Sequence, residues 1–530
     1  MIYGSRSDLL GTPMSPAEPL IPMHMDLDGL FHSPVDRIAA FAKIQLHLYR
    51  HDVSLQDYFM MLQLDTLITP RANFRGQRTS SRLINWAIHG ANKVRQFCPR
   101  RKIKTDVLFC PMPDFGRKTE TRFLIRSLLG IAQTDAKILC LLPADAPCRD
   151  EIDAQLATAG RSGQVTFIDP TTPLNPMDAR LSSEVARMQA RAAFDKTVQI
   201  LEPHGLSPGL EVLRNFYYIA HFVEAWERLA PWVEFDAAVS RCHWHALCGP
   251  VCRTALQRGK PVITFQQGVI SHTLDVPVTA STYVAFGQSS ASFLARLNHA
   301  FFWAAKMSEP PVEYVHGGCL YDTVTPLPNQ FDRQTLLMVD VPAPNGQGDF
   351  YGLESQCRAL LQLAERLLAT DLPLRRLVIR PHPYWSDLDF EDCQRLVREH
   401  PTRCELSHPA WSLEDDLRRS SVVVGIFSGV LTVASACGLP TVFLETEHGY
   451  TTGDLACFSP RQTLRPDAAF CEIRRILTDQ QGYAETRTEA LQNAREYYAN
   501  GTNLDLSGTF FERLLRANSV PDRPQHNLSK

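Results

Sequence analysis

From residue 104 onward, short apolar runs alternate with stretches whose apolar positions recur every third or fourth residue. The runs "TDVLFCPM", "AKILCLLPA" and "QVTFIDP" predict strands, and "TETRFLIRSLLGI" and "RDEIDAQLATAG" between them predict amphipathic helices. That order is the signature of a parallel sheet with helical crossovers. A mostly helical stretch over residues 178–232 follows, after which "FDAAVS", "PVITFQQG" and "TYVAFGQ" continue the strands. The alternation starts afresh at "QTLLMVDVPA", followed by the helix "LESQCRALLQLAERLLAT", and it continues through "RRLVIRP", "EDCQRLVREH", "RCELSHP", "SLEDDLRRS", "SVVVGIFS", "VLTVASACG" and "PTVFLET". This predicts a second doubly wound α/β unit, with "LYDTVTPLPNQFD" and its Pro326 and Pro328 as the linker.

The first hundred residues are patterned differently. "DRIAAFAKIQLHLYRHDVSLQDYFMMLQLDTLI" has helical spacing, with Ser54 placed to cap the second of two helices, and "SSRLINWAIHGANKVRQFCPRRKIK" predicts a third with a basic end. That end suits solvent or an anionic membrane surface. The expected organisation is a helical region at 1–103, Rossmann-like domains at 104–325 and 326–480, and a C-terminal helical segment at 481–530.

Composition narrows the partners. A chain of 530 residues, 44% hydrophobic and 21% charged, suits a soluble protein of more than one domain, and a net charge of −3 argues against a nucleic-acid partner. Neither an apolar run of about 18 residues nor a signal peptide is evident, so a cytoplasmic location is expected, with peripheral attachment to the inner membrane face left open. The segment "RCHWHALCGPVC" gathers Cys242, His243, His245, Cys248 and Cys252, yet a second pair of zinc ligands is missing elsewhere, so it reads as a strand end entering a helix. Free thiols are expected.

In open parallel sheets ligands sit beyond the carboxyl ends of the strands, so those ends carry the candidate chemistry. The run Leu377-Val378-Ile379 stops at Arg380-Pro381-His382-Pro383. The prolines hold His382 rigidly, and an imidazole and a guanidinium there can donate to a phosphate. In "SSVVVGIFSGVLTVASACG", a strand and a tight loop lead to Ser428 and Gly429 at the start of a small-residue helix, where unpaired amides and the helix dipole can hold phosphate. A plain N-cap is the other role open to Ser428.

Together these stretches resemble the second domain of bacterial surface-polysaccharide glycosyltransferases of the GT-B architecture. The resemblance is to the capsule-synthesis and polysialyltransferase-like group and, more distantly, to CDP-glycerol glycerophosphotransferases. His382-Pro383 matches their His-Pro motif and Ser428 their Ser/Thr motif, both of which bind the donor's nucleotide phosphates. "ALQRGKPVITFQQGVISH" is similar to a segment that ends Gln-His-Gly in these families; here it ends Gln266-Gln267-Gly268, with His272 four residues on from Gly268. Many GT-B enzymes bind the donor ribose through a Glu where this chain has Val433; Glu445, at the end of the next strand, is the nearest acid.

The resemblance implies an α/β GT-B-like fold of two Rossmann-like domains facing a cleft. In such a cleft the loop "PMPDFGRKTE" supplies Asp114 as the candidate general base, with Glu120 behind it and Arg117 and Lys118 available to an anionic acceptor. Acids at Asp415-Asp416 fall in the first turns of a helix, so neither a metal nor another cofactor is expected. The implied function is sugar transfer from a CMP- or UDP-activated donor to a glycan or lipid-linked acceptor of a surface polysaccharide. A glycerophosphotransferase, a sugar-nucleotide 2-epimerase and a non-catalytic glycan-binding partner are the alternatives.

Overall fold

The computed structural model describes residues 102–111, 118–143, 146–170, 176–201, 210–245, 247–268, 270, 275–319, 325–341, 353–381, 391–408, 411–426, 428–444, 454, 458, 463–499 and 503–517. The three helices expected before residue 102 lie outside them. In chain order the first half comprises β1 (Ile103–Lys104), β2 (Val107–Cys110), α1 (Lys118–Ala132), β3 (Ile138–Leu141), α2 (Arg149–Thr158), β4 (Val165–Ile168), α3 (Pro176–Leu201) and α4 (Leu210–Leu229). It continues with β5 (Val233–Glu234), β6 (Ala237–Ser240), α5 (Cys248–Gln257), β7 (Val262–Phe265), β8 (Thr282–Ala285), α6 (Gln288–Ala305) and β9 (Glu313–His316).

The second half begins with β10 (Thr335–Val341), α7 (Leu353–Ala369), β11 (Arg376–Pro381), α8 (Glu391–Glu399), β12 (Cys404–Leu406), α9 (Leu413–Arg419) and β13 (Val422–Gly425). It ends with α10 (Gly429–Ala436), β14 (Thr441–Leu444), β15 (Thr463–Leu464), α11 (Pro466–Thr478), α12 (Gln480–Tyr497) and α13 (Gly508–Ala517).

The strands form two parallel sheets, in the orders β4-β3-β2-β6-β7-β8-β9 and β12-β11-β10-β13-β14-β15. Each winds outward from its first strand and then crosses back, so the strand order reverses between β2 and β6 and again between β10 and β13. Both are doubly wound α/β sheets. Their central strands are buried on both faces, and for that reason they read as unbroken apolar runs. Each such Val, Leu or Phe contributes roughly 1.5–3 kcal/mol by leaving water.

The tail of the third expected helix departs from its pattern. Ile103 and Lys104 pair in parallel with Val233 and Glu234, and Lys102 Nζ bonds Glu234 Oε1 at 2.6 Å. Backbone partners and a carboxylate on β5 outweigh helical propensity at this point.

The C-terminal segment joins both domains. Helix α12 packs on α10 and α6, and α13 packs on α1. A Cβ on Gly130 of α1 would lie 2.0 Å from the Leu506 carbonyl oxygen, so only glycine admits this approach. Arg126 Nη2 donates to Leu504 O at 2.9 Å. One apolar cluster consequently runs from Phe109, Val239 and Phe265 through Tyr497, Tyr498 and Phe511 to Leu337, Val423 and Phe443.

Candidate functional site

Strand β13 ends at Gly425, and α10 starts at Gly429, on the reversal point of the second sheet. Ser428 is the N-cap of α10: its Oγ accepts from Val430 N at 3.0 Å, and its residue is buried. The carbonyl of Gly429 accepts from Thr432 Oγ1 at 2.8 Å, and Thr432 meets the Tyr498 hydroxyl, which fixes α10 to the end of α12. Ser428 thus fulfils the local reading of the sequence, and its helix start faces the position where an open sheet binds ligand.

Arg380 is the next-to-last residue of β11 beside β10, so it and Ser428 flank the carboxyl end of the same strand. Its Nη1 pairs with the Asp416 carboxylate and bonds Ser407 Oγ at 3.1 Å. Ser407 Oγ in turn donates to Asp416 Oδ2 at 2.6 Å. The two acids expected in the first turns of α9 therefore divide. Asp415 completes a capping box with Ser412, whereas Asp416 turns inward and is 2% exposed. This network anchors the strand end from which His382 departs.

In the first sheet, β6 ends in a side chain that the sequence reading passed over. Arg241 is 1% exposed; its Nε and Nη2 donate to Glu120 Oε2 and Oε1 at 2.8 and 3.0 Å, and Nη1 donates to Gln266 O at 3.2 Å. Its guanidinium lies 4.7 Å from the Phe123 ring centroid. Glu120, expected behind the general base, is thereby held in a buried ion pair at the reversal point between β2 and β6. A charged residue closing the buried run "AAVS" was the signal, the same one that drew attention to Arg380.

Gln266 continues the chain of contacts. Its Oε1 accepts from Phe286 N at 2.7 Å, and its Nε2 donates to Gly268 O at 2.8 Å and to Asp454 Oδ2 at 3.0 Å. Gln267 and Gly268 follow at the half-buried end of β7, and a Cβ on Gly268 would enter open space. Asp454 was not foreseen, because its partners lie far along the chain. Desolvation pushes its carboxyl up to about 6, against the pull of its four donors. Keeping it ionised at pH 7 costs about 3 kcal/mol relative to the unfolded chain.

Asp114, His272, His382 and Glu445 lie outside the described residues. The Cys-His segment packs as core: Cys110 and Cys248 sulfurs are 3.8 Å apart, and burial pushes the Cys110, Cys242 and Cys248 thiols up, where they stay protonated and inert. Among the described residues no group of three His, Cys, Asp or Glu is arranged to hold a metal, and no helix is long and apolar enough to cross a membrane.

The same segment sets an acid limit. Burial pushes His243 and His245 down to about 3, so only the unfolded chain takes up their protons as pH falls through 6.5, and stability is lost on acidification. Asp454 acts in the opposite sense, since the folded chain protonates first, between about 6 and 3.8. From pH 7 to pH 5 the two histidines remove about 2 kcal/mol each and Asp454 returns about 1, a net loss of about 3 kcal/mol. Urea midpoints at the two pH values should differ accordingly, and equal midpoints would contradict neutral burial of the imidazoles.

No family model matches the chain, and no curated protein matches it. Solved structures do align. The Anabaena protein HepE, in complex with UDP and glucose, is 13% identical over 78% of this chain and 100% of its own, with a TM-score of 0.44. A glycosyltransferase from Rickettsia africae is 9% identical over 78% of this chain and 98% of its own, also at 0.44. Acinetobacter baumannii MurG is 11% identical over 78% and 99%, at 0.41.

Proposed function

We propose that this chain is a GT-B-type glycosyltransferase that moves a sugar from a CMP- or UDP-activated donor to a glycan or lipid-linked acceptor in surface-polysaccharide synthesis. The observation that carries the reading is the Ser428-capped start of α10 at the strand-order reversal of the second sheet. An anion meets the Gly429 amide and the positive end of the helix there. His382, the residue after β11 in the sequence, adds a donor in this reading, and Arg380, fixed by Asp416, holds the end of that strand. In this reading Gly429 contributes its amide to the donor phosphates and Glu445 holds the ribose.

The first domain receives the acceptor. Asp114 removes the proton of the acceptor hydroxyl as that oxygen attacks the anomeric carbon, while Gln267, Gly268 and His272 line the same cleft. The departing nucleotide phosphate gains negative charge, which the α10 terminus and His382 offset in place of a metal. The site is cytoplasmic, with the chain soluble or peripheral on the inner membrane face.

Release of nucleotide from CMP- and UDP-sugars, with and without candidate acceptors, tests the proposal. Acceptor-dependent release supports transfer, and release from CDP-glycerol in its place would make the chain a glycerophosphotransferase. Conversion of the sugar with no acceptor present would identify an epimerase. A folded chain that turns over no donor would overturn the enzymatic reading.

A further inference from the structure

The loop that follows β14 in the second domain places one carboxylate inside the first. Asp454 is 1% exposed; Oδ1 accepts from Ile270 N at 3.1 Å, and Oδ2 accepts from Gln266 Nε2 at 3.0 Å, Ser290 Oγ at 2.7 Å and Tyr497 Oη at 2.7 Å. Its main-chain oxygen also accepts from Ser289 Oγ at 3.2 Å. Gln266 and Ile270 bracket Gln267 and Gly268, so a single carboxylate from the other domain grips this stretch on both sides. The neighbouring approach is equally close: a Cβ on Gly287 would lie 2.4 Å from the Tyr497 carbonyl oxygen.

We propose that Asp454 is a positioning residue, which fixes the stretch from Gln266 to Ile270 against the second domain so that the cleft residues Gln267 and Gly268 meet the acceptor in register with the donor. The inference rests on the transferase reading of the cleft. Two arguments carry it. The carboxylate accepts one main-chain and three side-chain bonds, and through them it joins β7, the start of α6, the β14–β15 loop and α12 at one point. Moreover, burial disfavours its charged form, so this ion subtracts from stability at neutral pH and its contribution is geometric.

Asp454→Asn in the full-length chain tests this, because the amide keeps the size but sets an NH2 group among donors. Amide hydrogen exchange across Gln266 to Ile270 should rise, with the melting temperature at pH 7 unchanged or higher. Turnover should fall about 10- to 100-fold while the donor KM stays within about twofold, as for a misplaced rather than an unbound substrate. Tyr497→Phe removes one donor, leaves the carboxylate, and should shift the same readouts less, which keeps the test available if the Asn variant does not fold. Unchanged exchange, or raised exchange with unchanged turnover, would overturn the proposal. Should the wild-type chain transfer no sugar, the transferase reading and the catalytic half of the proposal fall together, and exchange still decides whether Asp454 holds the stretch.

Discussion

Arg241→Met is expected to lower the stability of the folded chain by about 3–5 kcal/mol, the cost of leaving one member of a buried ion pair without its partner. The guanidinium is almost wholly enclosed, and both of its bonds to Glu120 are short. Methionine matches the aliphatic stem and can still pack on Phe123, so the loss falls on the charge and its hydrogen bonds. Glu120, its side chain 11% exposed, would remain opposite an apolar side chain, and the Gln266 carbonyl would lose the donor at 3.2 Å. Adding Glu120→Gln should restore part of the loss, because a neutral amide tolerates burial better than an unpaired carboxylate. A lower urea midpoint for the single variant and a partial return in the double variant is the expected pattern. Equal midpoints for wild type and Arg241→Met would show that the pair does not hold the reversal point of the first sheet.

The second large effect is on turnover. Removing a donor aimed at charge that develops in the transition state costs on the order of 10²–10³-fold in kcat, and this is expected for His382→Ala. Ser428→Ala should lower donor affinity and turnover together, and as a lost N-cap it should also cost about 1 kcal/mol of stability. The two consequences can be separated with Ser428→Asn. An asparagine caps α10 about as well as serine does and adds no charge at this buried position, yet its larger amide takes the space of the phosphate. Stability retained with turnover lost would assign Ser428 to the donor; stability and turnover both retained would leave it a cap alone.

How far these features can be read from the sequence follows from the range of the contacts. The central strands were legible because both faces are buried, so runs such as Val422-Val423-Val424 carry the signal in consecutive residues. Strand β9, "EYVH", is half-buried throughout and mixes charge with apolar residues, so it passed unseen at the sheet edge. Strands β1 and β5 are two residues each, too short for any period. Ser428 was legible for a local reason: a cap bonds an amide two residues away. Arg241 and Glu120 are 121 residues apart, and Asp454 reaches partners 188, 164 and 43 residues away. Such pairings are set by strand order and by the return of α12 to the first domain, which local patterning does not encode. The basic tail at Ile103–Lys104 failed for the same reason, since its partner strand lies beyond residue 230.

Asp416 makes a related point about charge. Its neighbour Asp415 behaves as a helix-start acid should, with a capping bond from Ser412 N at 2.8 Å. One position further the side chain faces the sheet instead of water, and Arg380 is there to meet it. Adjacent acids in a first turn are thus not equivalent once one face of the helix is packed.

The central claim, that the second sheet holds a nucleotide at Ser428 and His382, is tested most directly by the melting temperature of the purified chain against CMP, CDP, UDP, GDP and ADP, in wild type and in His382→Ala. A ligand at about 100 times its dissociation constant should stabilise the folded chain by roughly 2.7 kcal/mol. The account predicts a rise with a cytidine or uridine nucleotide that is lost in the variant. No rise with any of the five, or an equal rise in the variant, would contradict it.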